Sequence, residues 1–103
     1  MFVTLWEFEV KPGCEKRFET VYGSTGDWAQ LFRRDAKYRE TLLLRDPIRT
    51  RTYLTLDFWD SQEAYEAFRE RNSLEYTALD QVCEKLTLSE RKVGSYSRLP
   101  ENV

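Results

Sequence analysis

Two stretches, "FVTLWEFEV" (2–10) and "RTYLTLDFWD" (51–60), alternate large side chains so densely that few folds can accommodate them. In extended backbone, successive side chains point to opposite faces. The first stretch then sets Phe2, Trp6, Phe8 and Val10 against Val3, Leu5, Glu7 and Glu9. The second sets Leu54, Leu56 and Phe58 against Tyr53, Thr55, Asp57 and Trp59. Both faces of the second carry bulk, which predicts a strand covered on both sides.

The segments between them read as helices and turns. Pro12-Gly13 ends the first strand, and Phe18, Val21 and Tyr22 follow at the i, i+3, i+4 spacing of a helix. "GSTG" (23–26) interrupts that helix, and Asp27 with Gln30 has the form of a capping box before Trp28, Leu31 and Phe32. "ETLLLRD" (40–46) reads as a strand turned back at Asp46-Pro47. Asp60 and Glu63 have the form of a second box, ahead of Ala64, Tyr65 and Phe68. After a break near Asn72-Ser73, the stripe Leu79, Val82, Cys83 and Leu86 predicts another helical segment. "KVGSYS" (92–97) is expected to be a short last strand.

The order is β-α-β-β-α-β, that of a ferredoxin-like α+β sandwich with one antiparallel sheet and helices on one face. Residues 1–98 form the expected single domain and 99–103 a tail. The face away from the helices is expected to show Leu5, Tyr53 and Trp59, which is too apolar to leave in water. A second copy packed sheet to sheet covers it, so the chain is expected to form a homodimer. Glu7 and Asp57 are expected on that same face, each satisfied by an arginine, a Tyr hydroxyl or water, or else as a shared carboxylate pair with raised pKa that would make a general base.

Composition excludes several functions. A net charge of −2 offers no field for general nucleic-acid binding, although seven basic residues fall between Arg33 and Arg51. No apolar run approaches the ~20 residues of a membrane span, and no secretory signal opens the sequence. Cys14 and Cys83 read as reduced thiols, which with the missing signal points to the cytoplasm. The chain has no histidine. That removes Ser-His-Asp and Cys-His catalysis, histidine-ligated zinc and histidine-ligated haem, so no metal is expected. Aromatic residues make up 15% of the chain, enough to wall a pocket or to fill a core.

The pieces "WEFEVKPG", "LLLRDP", "YLTLDFWDSQEAYEAF" and "LEYTALD" together resemble the antibiotic biosynthesis monooxygenase domain of the dimeric α+β barrel superfamily. The resemblance runs from about residue 2 to 97, and "YGSTGDWAQLF" is similar to an insertion in a subgroup without assigned activity. It implies a dimeric α/β barrel. It also implies a pocket between sheet and helices in which an ionisable phenol or anthrone reduces O₂ without metal, flavin or other cofactor. Trp59 and Tyr65 are spaced like the Trp–Tyr pair of such oxygenases. Their amide four residues before the Trp, and their arginine twenty after it, fall on Thr55 and Leu79 here. The resemblance thus implies Trp59, Tyr65 and Thr55 as catalytic residues. A pocket of Trp6, Phe8, Tyr22, Trp28, Phe32, Phe68 and Tyr76 would then take an aromatic or polyketide-like molecule. A non-catalytic dimer that binds a hydrophobic small molecule is the alternative.

Haem-degrading relatives need an Asn, a Trp and a His where this chain has Trp6, Phe68 and Ala78. RNA-recognition domains share the element order, but they carry a basic residue, a glycine and an aromatic in the third strand, and "RTYLTLDFWD" has no glycine.

Overall fold

A computed structural model describes residues 1–101. The element order is β1 (Phe2–Val10), α1 (Glu15–Tyr22), α2 (Asp27–Phe32), β2 (Tyr38–Arg45), β3 (Thr52–Trp59), α3 (Gln62–Arg71), α4 (Ser73–Cys83) and β4 (Thr87–Ser97), with a 3₁₀ turn at Glu84–Leu86 before the last strand. Among the described residues the strands form one antiparallel sheet in the order β2-β3-β1-β4. This is the expected ferredoxin-like α+β fold, with each of its two helices broken into two pieces. Residues 99–101 have no regular structure, and the rest of the expected tail lies outside the described residues. No described helix is long and apolar enough to cross a membrane.

Glycine makes both turns of the first half. Gly13 has φ +87°, a left-handed conformation that suits a residue without Cβ. At Gly26 a Cβ would lie 2.3 Å from the carbonyl oxygens of Thr20 and Val21, so only glycine lets the chain pass so close to α1. Gly26 is also the N-cap of α2. The capping box expected at Asp27 therefore does not form: Asp27 is already inside the helix, and the Gln30 amide donates to the Thr25 carbonyl at 3.0 Å instead. The second expected cap is displaced by one residue. Ser61 caps α3, its Oγ accepting from the Ala64 N–H at 3.1 Å, while Asp60 pairs with Arg39. A hydroxyl in extended backbone reaches the N3 amide, which leaves the Asp60 carboxylate free to bind the neighbouring strand.

Register corrects the assignment of faces. Phe2 lies opposite Trp59, Thr4 opposite Asp57, Trp6 opposite Thr55 and Phe8 opposite Tyr53. Directly opposed residues of an antiparallel pair share a face. Tyr53 and Trp59 therefore face the helices, at 2% and 0% exposure, and not the open side. Alternation sorts β3 into two sets without saying which set faces inward, because both are bulky. The open face carries Val3, Leu5 and Glu7 beside Phe58, Leu56 and Leu54, with Leu42 and Leu44 on β2. Glu7 and Asp57 consequently lie on opposite faces and cannot form a carboxylate pair. Glu7 instead accepts from Arg49 at 2.8 Å and Arg91 at 3.2 Å, and those hydrogen bonds lower its pKa.

Helix α4 departs from the expected stripe at one position. Cys83 is buried and Leu79 and Leu86 pack against the core, but Val82 is exposed, and Tyr76 provides the inward contact one turn earlier. The last strand is longer than the six residues expected, running eleven residues from Thr87. Five of its first six residues are polar, so its pairing comes from register with β1 and not from a hydrophobic pattern of its own.

Candidate active site

One cavity lies between the sheet and the helices. Its sheet side is formed by Phe8, Thr41, Thr55 and Asp57, and its helix side by Tyr22, Trp28 and Phe32. All seven of these residues are buried, so they make the floor. The remaining lining residues, Trp6, Tyr76, Asp80 and Glu90, are half-buried or exposed and mark the mouth. The cavity, floor and mouth together, has a volume of about 50 Å³ and is open on one side. A cavity of ~150 Å³ holds benzene, so this one admits a water or two as it stands, and a ring requires its mouth to widen.

The floor is dominated by Asp57. Burial raises its carboxyl from 3.8 to about 6, and the Thr41 hydroxyl, donating to Oδ1 at 2.7 Å, opposes the rise. Thr41 lies opposite Asp57 across β2 and β3. The Tyr38 hydroxyl is 2.8 Å from the Thr41 oxygen; since the Thr41 proton goes to Asp57, Tyr38 donates. The chain Tyr38–Thr41–Asp57 holds the carboxylate in one orientation, with no cation beside it within ion-pair distance among the described residues. A carboxylate whose titration is moved toward neutral pH by an apolar setting is suited to take and return a proton.

Tyr22 is 6% exposed, and burial pushes its phenol far above the ordinary value. Tyr76 is raised in the same way, by burial and then by the field of Tyr65. Both phenols stay protonated and can donate. The indole N–H of Trp28 is buried near the Tyr22 hydroxyl and the Cys83 thiol, whose burial-raised pKa values it lowers, without making a well-formed hydrogen bond among the described residues.

Of the residues expected to be catalytic, only Thr55 reaches the cavity wall. Trp59 has no accessible surface and sits among Phe32, Tyr38, Tyr65 and Phe68, with ring centroids 5.0–5.6 Å apart. Its indole N–H has no partner among the described residues. Tyr65 lies 5.6 Å from Trp59 on the outer side of that cluster, where Arg69 approaches its hydroxyl at 3.5 Å. Of the expected pocket, Trp6, Phe8, Tyr22, Trp28, Phe32 and Tyr76 line the cavity, and Phe68 lies in the core below. Leu79 packs against the core, so no guanidinium stands at its position. Arg69 stacks on the Tyr76 ring with its guanidinium carbon 4.3 Å from the centroid. Cys14 precedes α1 without a capping bond, and Cys83 is buried with its thiol pKa raised by desolvation.

Sequence reasoning missed Thr41, Asp80 and Glu90. Thr41 becomes visible only through cross-strand register, and Glu90 lies on the part of β4 that lacks a strand pattern. Asp80 was within reach, since it follows Tyr76 by one helical turn.

Residues 1–77 match the family model for antibiotic biosynthesis monooxygenases. The chain belongs to that family. Among solved structures it is similar to a mutant form of SnoaB, a cofactor-independent oxygenase from Streptomyces nogalater. The TM-score is 0.76 at 18% identity, with 97% of this chain and 94% of that one covered. A candidate antibiotic biosynthesis monooxygenase from Deinococcus radiodurans gives the same TM-score of 0.76 at 12% identity, covering 100% and 97%. An uncharacterised NIPSNAP domain protein from Burkholderia xenovorans gives 0.70 at 15% identity, covering 96% and 95%. A search of curated proteins finds no match. At these identities the structural likeness speaks to the fold alone, so the family member's chemistry must be argued from its own cavity.

Proposed function

We propose that this family member is a cofactor-independent monooxygenase acting on a small phenolic or enolic aromatic molecule, with Asp57 as its base. The observation that carries this is a single buried carboxylate, its pKa raised to about 6, on the floor of an aromatic-walled cavity. Asp57 takes a proton from an acidic C–H or O–H of the substrate and leaves a delocalised carbanion or phenolate. That anion passes an electron to O₂, and recombination at carbon gives a peroxide anion. Asp57 returns the proton, and the hydroperoxide loses water to leave a carbonyl. Overall a CH₂ and O₂ become C=O and H₂O, with the carbon oxidised and both oxygen atoms fully reduced. Thr55, Tyr22 and Tyr76 orient the substrate oxygen, and the aromatic wall excludes water from the charged intermediate. In this proposal Trp59 and Tyr65 are positioning residues that support the floor.

The proposal includes a second copy on the open sheet face. Leu42 and Leu44 are 40% and 49% exposed there, next to Leu5, Leu54 and Leu56. Pairing two such faces closes an α/β barrel and removes a contiguous apolar patch from water.

Oxygen uptake with a panel of single-ring phenols, 1,3-diketones and anthrones tests the activity. The expected result is consumption by the wild type that Asp57→Asn lowers by at least ~100-fold, the size of a general-base contribution. Equal uptake by both proteins, or none with any compound, would contradict it.

A further inference from the structure

One row of side chains on the helix side of the sheet is polar from edge to edge. Thr41 on β2 lies opposite Asp57 on β3, Asp57 opposite Thr4 on β1, and Thr4 opposite Ser95 on β4. The neighbouring row on the same side is built of rings, with Tyr38 opposite Trp59 and Trp59 opposite Phe2. Asp57 thus stands between two threonines, and their hydroxyls are used differently. Thr41 donates to Asp57 Oδ1 at 2.7 Å. Thr4 is 1% exposed, and its hydroxyl is buried without a partner among the described residues.

A buried hydroxyl left unpaired is costly, and the large majority of such groups have a partner. The strand does not need threonine for its shape, because valine branches the same way at Cβ and suits a strand as well. Position names the partner. Directly opposed residues of an antiparallel pair have Cβ atoms about 4.5–5.5 Å apart, so rotation about the Thr4 Cα–Cβ bond carries its hydroxyl toward the Asp57 carboxylate. The carboxylate has capacity for a second donor, since Thr41 is its one hydrogen-bond donor among the described residues.

Other titratable groups face this carboxyl from the surrounding elements: Tyr38 on β2, Tyr22 on α1, Tyr76 and Asp80 on α4, and Glu90 on β4. Helix α2 adds only the uncharged rings of Trp28 and Phe32. None of these groups donates to Asp57, whose pKa answers to burial first and to the Thr41 hydroxyl second.

We propose that Thr4 is a positioning residue for Asp57: when the carboxyl ionises, the Thr4 hydroxyl turns and donates to it, so that the base is gripped from β1 as well as from β2. This rests on the role of base proposed for Asp57 above and adds the device that regulates it. A hydrogen bond to a carboxylate is roughly twice as strong as one between neutral groups, so the grip favours the ionised form that turnover needs. The unpaired hydroxyl of the structure is the open setting of this grip.

Carbon-13 NMR titration of the Asp57 carboxyl in the full chain tests it, in wild type, Thr4→Val and Thr4→Ser. Val keeps the branched shape and removes the donor, whereas Ser keeps the donor and removes the methyl. The expected midpoint is about one pH unit higher in Thr4→Val and close to wild type in Thr4→Ser. The pH profile of oxygen uptake is expected to move with the midpoint. A purely structural threonine gives another pair of results: Thr4→Val melts at or above wild type, having lost an unpaired buried hydroxyl, and the midpoint stays. An unmoved midpoint overturns the proposal. Should Thr4→Val not fold, Thr4→Cys replaces the hydroxyl by a weak donor of similar size and serves the same comparison. A shifted midpoint without oxygen uptake by any of these proteins upholds the grip and sinks the oxygenase. Oxygen uptake with one midpoint common to wild type and Thr4→Val does the reverse.

Discussion

The two faces of the sheet are built from the same alternating strands but for different tasks. The helix side is filled by rings: Phe2, Phe8, Tyr53, Trp59 and Phe68 are all at 9% exposure or less. It also holds Asp57, a carboxylate that burial works against. The open side is aliphatic, and its acid, Glu7, is tied to two arginines at the surface. One side keeps a charge where solvation is poor, and the other keeps apolar area where solvation is good. A face that bears an unfavourable buried charge is where chemistry is to be sought, while a face that bears unfavourable exposed area is where a partner is to be sought.

Substitutions can break that contrast, beginning with the core. Trp59→Ala on the helix side is expected to destabilise the fold by about 3–5 kcal/mol, because it empties the space among four rings. Leu44→Ala on the open side, half exposed in the single chain, is expected to cost under ~1 kcal/mol in the monomer. Chemical denaturation of both variants checks the difference. Trp59→Phe keeps most of the packing. Retained turnover in that variant supports a positioning role, and its complete loss in a stably folded protein would point to direct contact with substrate.

Asp57→Asn carries the next largest effect, and its sign is opposite for stability and activity. Burial raises the folded-state pKa to about 6 from 3.8. Between those values the folded protein holds a proton that the unfolded chain has released. The group's contribution to stability therefore falls as pH rises through that window. A shift of that size is on the order of 3 kcal/mol at neutral pH. Asn removes the cost, so the variant is expected to melt higher than the wild type above pH 6 and to match it more closely near pH 4. Turnover needs the ionised form, so wild-type activity is expected to rise with pH through about 6. Thermal melts and rates across that range check both signs.

The open face gives a change of association and not of folding. Leu56→Lys places a charge at its centre and is expected to convert a dimer to a monomer with little change in helix content. Analytical ultracentrifugation with circular dichroism tests it; a wild-type monomer removes the barrel from the account. The smallest effect expected is at Ser61→Ala, about 1 kcal/mol from the lost bond to Ala64, with Asp60→Ala smaller because its pair with Arg39 is exposed.

Element order was legible because period-2 and period-3.6 patterns, Gly13, Gly26 and Pro12 mark every boundary of the first half. The inward set of β3 was not, since Tyr53 and Trp59 are as large as Leu54 and Phe58 and alternation carries no sign. Pairing Phe2 with Trp59 supplies that sign, and it exists only in three dimensions. The same limit put Asp57 on the wrong face, where it could be a base only as a pair with Glu7. In the sequence it is one acid beside Glu7, and only register with Thr4 and Thr41 places it at the floor of a cavity. Both caps were displaced by one residue: the close approach to α1 admits only glycine at position 26, and the Ser61 hydroxyl reaches the Ala64 N–H. Six of the seven expected pocket residues line the cavity because ring size and helical spacing are both visible in the sequence.

The most direct measurement is the carbon-13 NMR titration of the Asp57 carboxyl in the folded chain, assigned by comparison with Asp57→Asn. The account predicts a midpoint near pH 6. A midpoint near 3.8 would show an ordinary solvated aspartate and contradict both the base and the site built around it.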